Sequence, residues 1–115
     1  MKFIKNNPPR RYNVGIDNKI EISDHGKIFL DNNEQITFVR KDGKEHDFAS
    51  KSWGFYATPS INGRLKTFGL KTALMKNSFN KYYIVIVDLN KMDEFERYLS
   101  IEKQVLVEWL DEREG

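Results

Sequence analysis

The sequence predicts an α+β domain: a mainly antiparallel sheet or β-roll, with one short central helix and one amphipathic C-terminal helix. Three observations carry that expectation. Short apolar runs alternate with turn-forming residues from Tyr12 to Leu89. Asp42-Gly43 separates two of these runs with residues that accept the positive φ angles of a tight hairpin. After Asn90 the apolar residues Met92, Phe95 and Leu99 recur at helical spacing.

In order along the chain, residues 1–11 read as an extended N-terminal arm, because Pro8 and Pro9 lock φ and remove two donors. Residues 12–115 read as a single α+β domain. Its first strands are expected at 12–16, 19–22 and 27–30, separated by Asp17-Asn18, Asp24-His25-Gly26 and Asp31-Asn32-Asn33. A hairpin follows over 35–49, with Asp42-Gly43 as its loop, Arg40 opposite Glu45 and Val39 opposite His46. A second hairpin joins 70–76 to 81–89. Its run Tyr82-Tyr83-Ile84-Val85-Ile86-Val87 is apolar at nearly every position instead of alternating, which predicts a central strand covered on both faces. The helix after it has Asn90 as expected N-cap, with Asp93 and Glu94 in its first turn. A break near Glu102-Lys103 and a short final strand come next, with Trp109 in the core and Asp111 to Glu114 as a solvating tail.

Composition narrows the chemistry. The 115 residues are 39% hydrophobic and 31% charged with both signs nearly balanced, enough for a packed core. Without cysteine, disulfides, thiolate catalysis and cysteine-based metal centres are excluded. The first residues lack the apolar core of a secretory signal, and no run approaches the ~18 apolar residues of a membrane helix. A cytoplasmic location without membrane association is the resulting expectation. The net charge of +2 is uneven: 48–87 holds Lys51, Arg64, Lys66, Lys71, Lys76 and Lys81 and no acid, whereas 91–115 holds eight acids against four bases. A one-sign segment attracts anions or nucleic acid, although a solvated basic face looks the same in sequence.

The most distinctive segment lies between the two hairpins. Trp53, Phe55 and Tyr56 open it, and Thr58-Pro59 then form a helix-start signature, with Thr58 as N-cap and Gly69 as a closing residue. Gly63 weakens or interrupts that helix. Within it Ser60 and Arg64 share a face near free backbone amides, and Asn62 adds a donor, so a phosphate or carboxylate can be held there. The competing reading makes Thr58 an ordinary cap, leaves Arg64 solvated and puts the aromatics in the core. Here GKIFLDNNEQITF, DFASKSWGFYATPSINGRLKTFG, YYIVIVDLNKMDEFERYL and WLDE together resemble small uncharacterised bacterial proteins associated with surface-polysaccharide or sugar biosynthesis gene clusters. The resemblance spans 26–112. It implies a link to sugar-nucleotide or glycan metabolism, and no catalytic residues.

Standard catalytic templates fail. His25 and His46 are 21 positions apart without HxH or HExxH spacing, so no metal site is expected. GxSxG, Walker and GxGxxG patterns are missing, and the carboxylates around 42–47 lie on an exposed hairpin without the environments that separate acid from base. A binding role without a cofactor is therefore preferred to an enzymatic one. The leading expectation is a small anionic ligand, such as a sugar phosphate or sugar nucleotide, held by Ser60, Asn62 and Arg64 with Trp53 or Tyr56 stacked on a ring. The alternative is a protein-interaction or oligomerisation module, a homodimer included, that binds no small molecule. Single-stranded nucleic acid comes third: the basic and aromatic residues interleave, but no RNA-binding motif accompanies them.

Overall fold

The computed structural model describes residues 1–113, and the fold is α+β, built mostly from antiparallel sheet. The chain groups into two compact units: residues 1–38 with 47–58, and residues 39–46 with the chain from Pro59 onwards.

The first unit opens with β1 (Lys2–Val14) and β2 (Ile20–Phe29), one long antiparallel hairpin in place of three short strands. The expected arm is extended and paired, from Lys2↔Phe29 to Val14↔Ile20. Pro8 and Pro9 cannot donate to the ladder, so the register breaks between Lys5 and Arg10. Asp24 compensates with other bonds: its carbonyl accepts from Asn6 Nδ2 at 3.1 Å, and its carboxylate accepts from Arg10 at 3.0 Å and from the Gly26 amide at 3.2 Å. Asp24-His25-Gly26, expected as a turn, is thus the inside of a strand opposite a proline bulge. Two further strands, β4 (Glu45–Lys51) and β5 (Gly54–Ala57), pair antiparallel about the turn Ser52-Trp53, with β3 (Gln35–Val39) on the other side of β4.

The loop joining β3 to β4 belongs to the second unit and differs from the expected turn by one residue. The Arg40 amide donates to the Lys44 carbonyl at 2.9 Å, and the Gly43 amide to the Arg40 carbonyl at 2.9 Å. Lys41, Asp42 and Gly43 therefore form a three-residue loop closed by Gly43 at φ +89, so Arg40 stands opposite Lys44 instead of Glu45.

The rest of the second unit is a three-stranded sheet with β6 (Leu70–Lys76) between β7 (Tyr82–Asp88) and β8 (Val105–Trp109). Its core sits on β6, where Leu70, Thr72, Ala73 and Met75 are buried. The short helix α1 (Arg64–Thr67) contributes the fully buried Leu65. Helix α2 (Met92–Ile101) follows a single 3-10 turn, Leu89–Lys91, which Asp88 caps by accepting the Asn90 amide; the cap falls two residues before the expected Asn90. Met92, Phe95 and Leu99 form the half-buried stripe of α2, and Phe95 meets Trp109 at 5.9 Å. The break comes at Glu102-Lys103, where Lys103 takes φ +54. The acidic end is no tail at Asp111, which is buried and accepts from Lys71 Nζ at 2.8 Å; Glu114 lies outside the described residues.

One strand departs most from expectation. β7 lies at an edge of its sheet, because β6 takes the centre. Tyr82, Tyr83, Ile84 and Ile86 are exposed, and of its apolar residues Val87 alone is buried.

Candidate functional site

The residues read from sequence as a ligand site divide between the two units. In the first unit Trp53 stands in the β4–β5 turn and Tyr56 on β5; their rings meet edge to face at 6.3 Å, and both are exposed together with Phe55. The expectation that these rings fill the core is not met. In the second unit Ser60, Asn62 and Arg64 lie on exposed backbone around the start of α1. Thr58 does not cap that helix. Its amide and hydroxyl both donate to the Asp47 carbonyl, at 3.1 and 3.0 Å, while Ser60 Oγ accepts from the Arg64 amide at 2.9 Å. The helix begins immediately after Gly63, whose Cβ position would overlap Ser60 Oγ. Ser60 therefore occupies the Arg64 amide at the helix start, and a four-residue helix carries little of the dipole expected to draw an anion.

The basic segment is also partly spent within the fold. Lys71 Nζ bonds Asp111 and Glu112 and lies 4.9 Å from the Trp109 ring centre, and Lys51 donates to Asn33 at 3.0 Å. The Asp111 bond raises the Lys71 pKa against the opposing pull of desolvation. Among the described residues no group of three or more histidines and carboxylates could hold a metal.

A different feature has the geometry of a binding site. The Leu89 amide donates to the Gly69 carbonyl at 2.9 Å, and the Asn77 amide to the Lys81 carbonyl at 3.0 Å, on either side of a ladder that pairs Leu70 with Asp88 and Lys76 with Tyr82. Odd-numbered residues of β7 thus direct their backbone groups to β6. Tyr82, Ile84, Ile86 and Asp88 direct theirs away from it, at the free side of the sheet. Val85, Ile86, Val87 and Asp88, at the end of β7, line a cleft of about 350 Å³. Lys91, Glu94, Phe95 and Tyr98 of α2 wall one side, and Arg40 reaches it from the hairpin loop. Lys44 fastens that loop to the end of β7 through Asp88 at 2.6 Å, with both side chains largely buried. This bond and the Asn90 amide hold the Asp88 carboxyl below the usual carboxylate range.

The sequence signal for this site was the apolar run of β7 itself. A run covered on both faces and a run left bare at an edge have the same composition; only the strand order separates them. In the first unit a second cleft of about 340 Å³ is lined by Gly26, Ile28, Leu30, Ile36, Phe38, Phe48 and Phe55 and has no charged side chain.

No helix of the described residues is long and apolar enough to cross a membrane. The chain matches no protein-family model, no curated protein and no solved structure.

Proposed function

We propose that this chain is a protein-interaction module that takes an extended segment onto the β7 edge beside α2. One observation carries the reading: the seven-residue edge strand offers the outward amides and carbonyls of Tyr82, Ile84, Ile86 and Asp88, with apolar side chains exposed on both faces and no proline or bulge within Tyr82–Asp88. Edges of this kind pair with other chains unless charge, proline, a bulge or a covering element prevents it. Strand addition draws affinity from main-chain bonds and selectivity from flanking side chains, here Arg40, Lys91, Glu94 and Tyr98.

Amide exchange tests this. In unlabelled extract of the cells that make the protein, the outward amides of Tyr82, Ile84 and Ile86 should become as slow as the inward amides of Tyr83, Val85 and Val87. Ile84→Pro, which removes one outward donor and no β6 bond, should abolish the effect. Outward amides that exchange as freely in extract as in buffer, at every protein concentration, refute the reading.

A second reading, a small anionic sugar ligand, is favoured by one observation in the first unit. Trp53 is 69% exposed and Tyr56 49%, so ring faces are available for stacking on a sugar. Sugar nucleotides should then raise the melting temperature, and Trp53→Ala should remove the rise. An unchanged melting temperature with every sugar phosphate and nucleotide tried eliminates this reading.

A further inference from the structure

We infer that the strand added to the β7 edge is β7 of a second copy, antiparallel, about a two-fold axis passing beside Val85; the inference rests on the interaction-module reading. An antiparallel pair of identical strands in one continuous sheet is related by an axis normal to that sheet. Residues that face each other then point to the same side, so their numbers differ by zero or an even count. The outward groups of β7 sit on even-numbered residues, so pairs of even-numbered residues exchange the new hydrogen bonds.

Registers centred on Ile84, Val85 and Ile86 pair at least five residues of the strand, and the side chains choose among them. Centred on Val85, Ile84 faces Ile86 of the second copy, and Tyr83 faces Val87. Tyr82 then faces Asp88, whose Oδ1 is taken by Lys44 and the Asn90 amide and whose Oδ2 is the oxygen a phenol would donate to. All four outward residues of each strand find a partner, and the strand is used over its full length, Tyr82 to Asp88. Apolar pairs of this kind, directly opposed, are the stabilising unit of a sheet. Centred on Ile84, the charged Lys81 would face the apolar Val87 and Asp88 would face Asn80 in the turn, outside the strand. Centred on Ile86, the Asp88 carboxylate would face Ile84. Only the Val85 register opposes apolar to apolar and polar to polar throughout. The product is a continuous sheet ordered β8-β6-β7-β7-β6-β8, within the usual size of open sheets.

Because the chain has no cysteine, single engineered cysteines report the register directly. Val85 and its symmetry mate form a non-hydrogen-bonded pair, with Cα atoms about 4.5 Å apart, inside the range a disulfide spans. Ile84 and its mate are displaced by two residues, about 7–8 Å apart, and fall outside it. Mild oxidation should therefore link Val85→Cys into dimers and leave Ile84→Cys monomeric. Light scattering should show wild-type dimers that dissociate on dilution over about a hundredfold range. Ile84→Pro, with its circular dichroism unchanged, should be monomeric throughout.

A wild-type chain that stays monomeric at all concentrations overturns the inference, whether or not the cysteine variants fold. If the Tyr82, Ile84 and Ile86 amides are nevertheless protected in cell extract, the added strand is foreign and the interaction-module reading stands. If they are never protected, both fall. A dimer that persists in Ile84→Pro, or that links through Ile84→Cys and not Val85→Cys, overturns the inference as well.

Discussion

Lys71 Nζ and Asp111 Oδ2 meet at 2.8 Å across forty residues of chain, with 13% of the lysine side chain exposed and none of the aspartate's. The pair joins the central strand β6 to the 3-10 turn Leu110–Glu112 after β8 and so holds the C-terminal end of the second unit in place. Burial pushes the Asp111 carboxyl upward, and the Lys71 bond, a backbone amide bond and the Lys71 charge outweigh it, so its pKa is lowered overall.

Lys71→Met leaves Asp111 buried without its cation and should cost about 3 kcal/mol, read from the urea midpoint at neutral pH. Lys71→Met combined with Asp111→Leu should recover most of that loss, since an apolar pair replaces the ionic one. The pH dependence has a definite sign. Asp111 has a depressed folded pKa, so its contribution is present above the unfolded value of about 3.9 and disappears as pH falls through the folded one. Lys71 has a raised folded pKa, so its contribution is complete below about 10.4 and is lost as pH rises through the folded value. The gap in midpoint between wild type and Lys71→Met should be widest between these limits and shrink outside them. A gap that does not change with pH would show that the pair adds only packing.

Gly26 sits in β2 at φ +143, where a Cβ would overlap the Ile4 carbonyl oxygen on β1. The overlapping atom is backbone and cannot rotate away. Gly26→Ala should therefore destabilise the β1–β2 hairpin by about 3 kcal/mol, combining positive-φ strain with a forced shift of the strand. Gly43, at φ +89 with open space around its Cβ position, should lose only about 1 kcal/mol on the same change. Residue-level amide exchange across 2–14 and 20–29 separates the two. Equal effects would mean that Gly26 has more room than its contacts indicate.

What the sequence made legible was local periodicity. The stripe of α2, the break at Glu102-Lys103 and the strand carrying Val105 and Trp109 follow from spacing and are found where spacing puts them. What it hid depends on partners distant in sequence. Asp24-His25-Gly26 has the composition of a turn, and only the Pro8–Pro9 bulge opposite makes it strand. Asp111 looks like tail until Lys71 is seen beneath it. Thr58-Pro59 is a sound helix start, yet the Asp47 carbonyl claims the threonine and moves the start to Gly63. The β7 edge was hidden for the same reason: its apolar run names the strand but not its neighbours.

Ser60 offers a direct comparison of two helix starts. Ser60→Ala removes the acceptor of the Arg64 amide and should cost about 1 kcal/mol, the usual value for a lost cap. Its mark should be faster exchange of the Arg64 amide. Thr58→Ala should leave that amide unchanged. If Thr58→Ala exposes it and Ser60→Ala does not, the helix starts where the sequence alone suggested.

Ile84 and Val87 lie three residues apart on β7 and separate stability from association. Ile84 is 59% exposed on one face of the sheet, whereas Val87 is 6% exposed on the opposite face, which carries Trp109 against Phe95 of α2. A lysine at Ile84 remains in water in the isolated chain, so Ile84→Lys should change stability by no more than about 0.5 kcal/mol at high dilution. A lysine at Val87 must bury its ammonium or expel α2, so Val87→Lys should cost about 3 kcal/mol or more. At high protein concentration the order of effects changes. Wild-type melting temperature should rise with concentration, because association favours the folded state, and Ile84→Lys should remove that dependence by placing a charge opposite Ile86 of the second copy. Melting curves at several concentrations decide it. Matching concentration dependence in wild type and Ile84→Lys would move the association surface away from β7.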